Sequence, residues 1–132
     1  MNPGYPLTLE QLKDWNKSTV NKYRDERINA GFTYNGNSYD SDTTARMNIN
    51  AACTLALVLL GQGQNFPSTF TWRTADNQNV PVDAAGVIQM GITVGTYVTT
   101  CYGASWFHKA NIEAIDNIPD LLAYDISPGW PS

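Results

Sequence analysis

The dipeptide Asn35-Gly36 constrains this chain most. It sits between Phe32-Thr33-Tyr34 and Asn37-Ser38-Tyr39, two short runs rich in aromatic and β-branched residues. Asparagine and glycine tolerate the positive φ angles of a tight two-residue turn, so the segment reads as a two-stranded ribbon. A lone ribbon is marginal in water. It needs helices to cover it, and the flanking sequence supplies them.

Upstream, the spacing predicts a helix over residues 8–30. Thr8 is a good N-cap, and Gln11 three residues on completes a capping box. Leu9, Leu12, Trp15, Thr19, Tyr23 and Ile28 form an apolar stripe. Gly31 marks the stop. Lys13, Lys17, Lys22, Arg24 and Arg27 alternate with Asp14, Asp25 and Glu26, which reads as a solvated helix face rather than a nucleic-acid patch. The net charge of −4 agrees with that, because phosphate binding needs a dense basic surface.

Downstream, Asp40-Ser41-Asp42 opens a second helix over residues 41–60. It is apolar almost all round, which predicts the central and most buried helix. A second ribbon is expected from residues 70–74 and 80–82, with Pro81 making its second strand short or an edge. A third helix is expected over residues 83–115. Val87, Met90, Val94, Tyr97, Cys101, Ala104, His108, Ile112 and Ile115 keep one rhythm along it. Gly91 and Gly95 share a face and invite close approach of another helix backbone; the alternative is a kink near Gly103. Asn117-Ile118-Pro119 stops this helix, and a short turn follows.

The predicted class is therefore α+β, mainly α: three helices with two small ribbons in helix–ribbon–helix–ribbon–helix order. One domain over residues 1–132 is expected, with extended arms at 1–7 and 124–132. Nothing at the N-terminus reads as a secretory signal. The apolar run over residues 51–60 is too short to span a bilayer. Cys53 and Cys101 read as two buried thiols, and no disulfide is called for. Two cysteines and one histidine do not make a zinc site.

With these elements placed, three stretches resemble a phage-encoded domain of unknown function found in tail and tail-fibre-associated proteins. They are Arg27 to Gly36 leading into Tyr39-Asp40-Ser41-Asp42, then Trp72 to Asn77 followed by Val80-Pro81-Val82, then Trp106 to Ile112. The resemblance implies a virion or tail-assembly setting, built in the bacterial host cytoplasm. It implies no catalytic residues.

Each candidate site also has a structural role open to it. Asp40, Asp42 and Asp76 suit helix capping and turn bonding, or else a hard cation or acid–base chemistry. His108 lies on an apolar stripe, with no nucleophile–base pattern around it. Trp72 and Arg73 are residue types enriched at binding hot spots. Tyr5 and Trp130 sit in proline-flanked arms suited to docking. The expected function is protein–protein contact without catalysis or cofactor. The partner is a second copy of the chain, a tail or fibre protein, or both, and neither nucleic acid nor membrane. A receptor- or glycan-binding module using Tyr34, Tyr39 and Trp72 is the alternative; an envelope-degrading enzyme is a weaker one.

Overall fold

The structure is a computed structural model that describes residues 6–132. Its elements are α1 (Leu9–Ile28), β1 (Phe32–Tyr34), β2 (Asn37–Tyr39), α2 (Thr43–Gly61), β3 (Thr71–Arg73), β4 (Asn79–Pro81), α3 (Ala84–Ala114) and α4 (Ile118–Ala123). The predicted order holds, with one addition. Pro119 lies in the first turn of α4, where its missing N–H costs nothing. Asn117 caps that helix by accepting from Asp120 N at 2.9 Å.

Local chemistry explains the boundaries. The capping box of α1 forms in both directions, Gln11 N to Thr8 Oγ1 at 3.1 Å and Thr8 N to Gln11 Oε1 at 2.9 Å. Gly31 ends the α1 segment at φ 108°; a Cβ there would lie 3.0 Å from the Tyr39 carbonyl oxygen. Asn35 and Gly36 take φ of 50° and 81°, so β1 and β2 close through the primed turn read from sequence. Asp42 caps α2 by accepting from Ala45 N at 2.8 Å. The helix ends with Gly63 at φ 71°, Gly63 N bonding Leu60 O and Gln64 N bonding Leu59 O. That pair of bonds is a Schellman ending. Asp83 and Asn65 share the start of α3, accepting from Gly86 N and Ala84 N, each at 2.8 Å.

The chain divides into two compact units: residues 28–98, and residues 1–27 with 99–132. In the first, both ribbons are antiparallel, with Phe32 opposite Tyr39 and Trp72 opposite Val80. Phe32, Tyr39, Ile49, Met90 and Val94 form one core, with Trp72, Tyr34 and Cys53 against it. Ala56, Ala84 and Val87 form another, with Phe66 and Phe70 beside it. Small residues on α2 and Gly91 on α3 bring these two helices close. A Cβ on Gly91 would lie 2.4 Å from Cys53 Sγ. Burial pushes the Cys53 thiol pKa up, so it stays protonated and donates to Val87 O at 3.3 Å. Gly95 and Gly103 do not share that role, since a Cβ on either meets nothing within 4 Å.

In the second unit, Val20, Ile112 and Leu121 are the buried centre, with Leu9, Leu12, Tyr124, Ile126 and Trp130 around it. Two expectations about α1 are corrected here. Trp15 is 68% exposed, while Val20 is fully buried. Lys13 is not on a solvated face: it is buried, and its ammonium donates to Glu113 O at 2.8 Å. Lys17 pairs with the Glu113 carboxylate. Arg24 lies 4.4 Å from the Tyr102 ring centre, and Lys109 donates to Asn21 at 2.9 Å. Lys13, Lys17, Arg24 and Lys109 thus tie α1 to α3.

The third helix runs unbroken for 31 residues. Its predicted stripe is buried or half-buried throughout, from Val87 to Ile115. The second helix departs from expectation. Only Ile49 and Ala56 of α2 are buried, so this helix, apolar almost all round, is not the most buried one.

Candidate contact surface

The outward side of α2 is the most unusual surface in the first unit. Met47 is 65% exposed, Leu57 61%, Val58 51% and Leu55 50%. Ala51 and Thr54 lie exposed between them. Met47, Ala51, Thr54 and Val58 follow one another by four, three and four residues, so they line one stripe opposite Ile49 and Ala56. Leu55 and Leu57 flank it. No charged residue occurs between Arg46 and Arg73. Single exposed apolar side chains are ordinary, but a contiguous stripe of large ones with no charge among them is unusual. By length and composition α2 as a whole could cross a bilayer, although residues 51–60 alone could not.

The second unit exposes Trp15, Tyr102, Trp106, Phe107 and Leu122. Tyr102 and Trp106 lie on one face of α3, their ring centres 6.1 Å apart.

A cleft of about 590 Å3 opens beside the first ribbon. Tyr34, Phe66 and Phe70 supply its aromatic walls, and Asn35, Asn37, Asn65, Ser68 and Asp83 are its polar residues. Phe66 and Phe70 stack at 4.2 Å. Tyr39 reaches the same cleft, and burial pushes its phenol pKa up. Trp72 is not among the residues lining it.

The other sequence-derived candidates take structural positions. Trp72 is half-buried against the first core and tilted 52° to Phe70. Its neighbour Arg73 is exposed, donating to Asn79 Oδ1 at 3.1 Å. Asp76 accepts from the Thr74 hydroxyl, which also accepts from Gln78 N at 2.9 Å and so fixes the turn. Asp40 is exposed beside a shallow depression shared with Trp72 and Arg73. Among the described residues, no group of three or more His, Cys, Asp or Glu gathers as a metal set would. Tyr5 lies outside the described residues.

Trp130 is half-buried in the second unit. Its ring stacks on His108 at 5.6 Å and lies 5.0 Å from Tyr23. Its indole N–H donates to Ile126 O at 2.7 Å. Buried His108 lies 2.7 Å from both Pro128 O and Tyr124 Oη. A carbonyl only accepts, so Nε2 carries a hydrogen; in the neutral ring Nδ1 then accepts from the Tyr124 hydroxyl. Asn111 donates to that hydroxyl oxygen at 3.1 Å. Residues 124–131 are thus held on α1 and α3 of their own unit, with Arg27 donating to Pro131 O at 2.8 Å.

Sequence reasoning missed the α2 stripe. Its signal was present: apolarity all round the helix, and no charge from residue 47 to residue 72.

These elements define a mainly helical α+β domain with two small ribbons and an uncharged helical face. The chain belongs to the family described as Domain of unknown function (DUF4376), whose model matches residues 11–127. No curated protein and no solved structure matches it.

Proposed function

We propose that this chain is a non-enzymatic component or assembly factor of a phage tail or tail fibre, acting through protein–protein contact in or on the virion. The outward stripe of α2 carries the contact part of this reading. An apolar, uncharged face of that length costs solubility unless something covers it. The three stretches that resemble tail-associated domains support the setting. The reading needs no cofactor, metal, nucleic acid or membrane.

Light scattering on the purified chain tests the contact part. The expected result is a defined multiple of 14.6 kDa. An antibody against the chain tests the setting, on purified tails and on assembly intermediates of the phage. Labelling of either supports the reading; labelling of neither overturns it.

One observation favours a second reading. The cleft of about 590 Å3 joins Tyr34, Phe66 and Phe70 to Asn35, Asn37 and Ser68. Aromatic faces beside amides suit a neutral sugar, and the volume is within the usual range for ligands. A receptor- or glycan-binding role would use this cleft, without Trp72. Titration with neutral oligosaccharides, followed through amide shifts of residues 34–37 and 66–70, separates the two readings.

A further inference from the structure

We infer that the α2 stripe pairs with the same stripe of a second copy, in antiparallel orientation about a two-fold axis. This rests on the contact reading above and names its partner.

Three observations point to a second copy. The first is spacing. Met47, Ala51, Thr54 and Val58 are separated by four, three and four residues. That pattern reads the same in both directions, as an isologous antiparallel pair requires, because every contact in it occurs twice. Placing the axis between Ala51 and Thr54 sets each Ala51 against the other copy's Thr54. It also sets each Met47 against the other copy's Val58. Small residues then meet at the centre, where the backbones come closest, and large ones close both ends.

The second is charge. A face meeting its own copy meets its own charges, and like charges opposed in an interface are costly. Here there are none from residue 47 to residue 72. Antiparallel helices also oppose their dipoles favourably.

The third is area. The exposed fractions of Met47, Leu55, Leu57 and Val58 amount to roughly 400 Å2 per copy, and exposed Ala51 and Thr54 add to it, toward the about 800 Å2 that one partner gives to a standard interface. Asn48, Asn50 and Gln62 are exposed around them, which supplies the polar rim such interfaces have.

Sedimentation velocity on the full chain and two variants tests the pairing, with circular dichroism to confirm that each variant folds. The wild type is expected to sediment as a dimer or an even multiple. Val58→Glu is expected to shift it at least tenfold in concentration toward monomer. The double variant Met47→Lys, Val58→Glu is expected to restore assembly, since the new lysine of one copy would face the new glutamate of the other. A parallel pair would place the two glutamates together and would not recover.

An oligomer unmoved by Val58→Glu overturns the α2 pairing but leaves the contact reading standing on another face. A wild type that stays monomeric overturns the pairing and self-association together. Failure of the double variant to recover overturns the antiparallel register. Sedimentation of the wild type with phosphatidylcholine vesicles, abolished by Val58→Glu, would assign the face to lipid and overturn the pairing.

Discussion

Gly91→Ala should destabilise the protein, and the same change in a Cys53→Ala background should not. The added Cβ would stand 2.4 Å from Cys53 Sγ, well inside van der Waals contact. Alanine is worth about 1 kcal/mol over glycine within a helix, but overfilling a close-packed site costs about 1–3 kcal/mol. The thiol cannot turn away freely, because it donates to Val87 O. So short an approach puts the cost in the upper part of that range, and the expected net loss is about 1–2 kcal/mol, read as a lower urea midpoint with unchanged slope. With Cys53→Ala the sulfur is gone, and the nearest remaining atom of residue 53 is its Cβ at 3.8 Å, an ordinary contact. The helix preference then acts alone, and Gly91→Ala should be neutral or stabilising by up to about 1 kcal/mol. Equal losses in the two backgrounds would show that α2 does not approach α3 at this point.

Removing residues 125–132 should lower stability by about 3 kcal/mol or more, the scale of losing a large aromatic side chain from its packed site. The truncation takes away the ring over His108 and the acceptor for its Nε2–H. It also takes the Pro131 carbonyl from Arg27. Trp130→Phe is the gentler control. It keeps a ring on the imidazole but drops the N–H bond to Ile126 O, for a loss of about 1 kcal/mol. Denaturant unfolding followed by circular dichroism measures both. A truncated chain with an unchanged midpoint would show that the arm does not hold to its own body in solution. Such a chain with a changed mass would place the arm between copies instead.

Much of the fold was legible because its signals are local. The primed turn at Asn35-Gly36 and the capping box at Thr8 and Gln11 each involve neighbours in sequence. So does the nine-residue rhythm of α3. The misreadings concern which face of a helix is covered, which local pattern does not specify. Trp15 looked like part of the buried stripe of α1, yet Val20 is buried and Trp15 is exposed. Lys13 looked solvated because lysine usually is, but its ammonium reaches a carbonyl on α3. On α2, apolarity all round the helix suggests burial all round, but only Ile49 and Ala56 are buried. The sequence there carries no polar face to say which side points outward. Gly91 and Gly95 differ in role for the same reason: only Gly91 lies under the thiol of Cys53. The His108 contacts were out of reach, since Tyr124 and Pro128 arrive from residues 16 and 20 positions on.

The lack of charge on the outer side of α2 also fixes how that side responds to its surroundings. No ion pair can form across it, so added sodium chloride has nothing to screen there. Attraction at such a face comes from releasing water, whose driving force near room temperature is entropic and accompanied by a negative heat-capacity change. It therefore weakens in the cold and strengthens in sulfate. An assembly joined through this helix would respond to temperature rather than to screening by sodium chloride, loosening on cooling and tightening on warming.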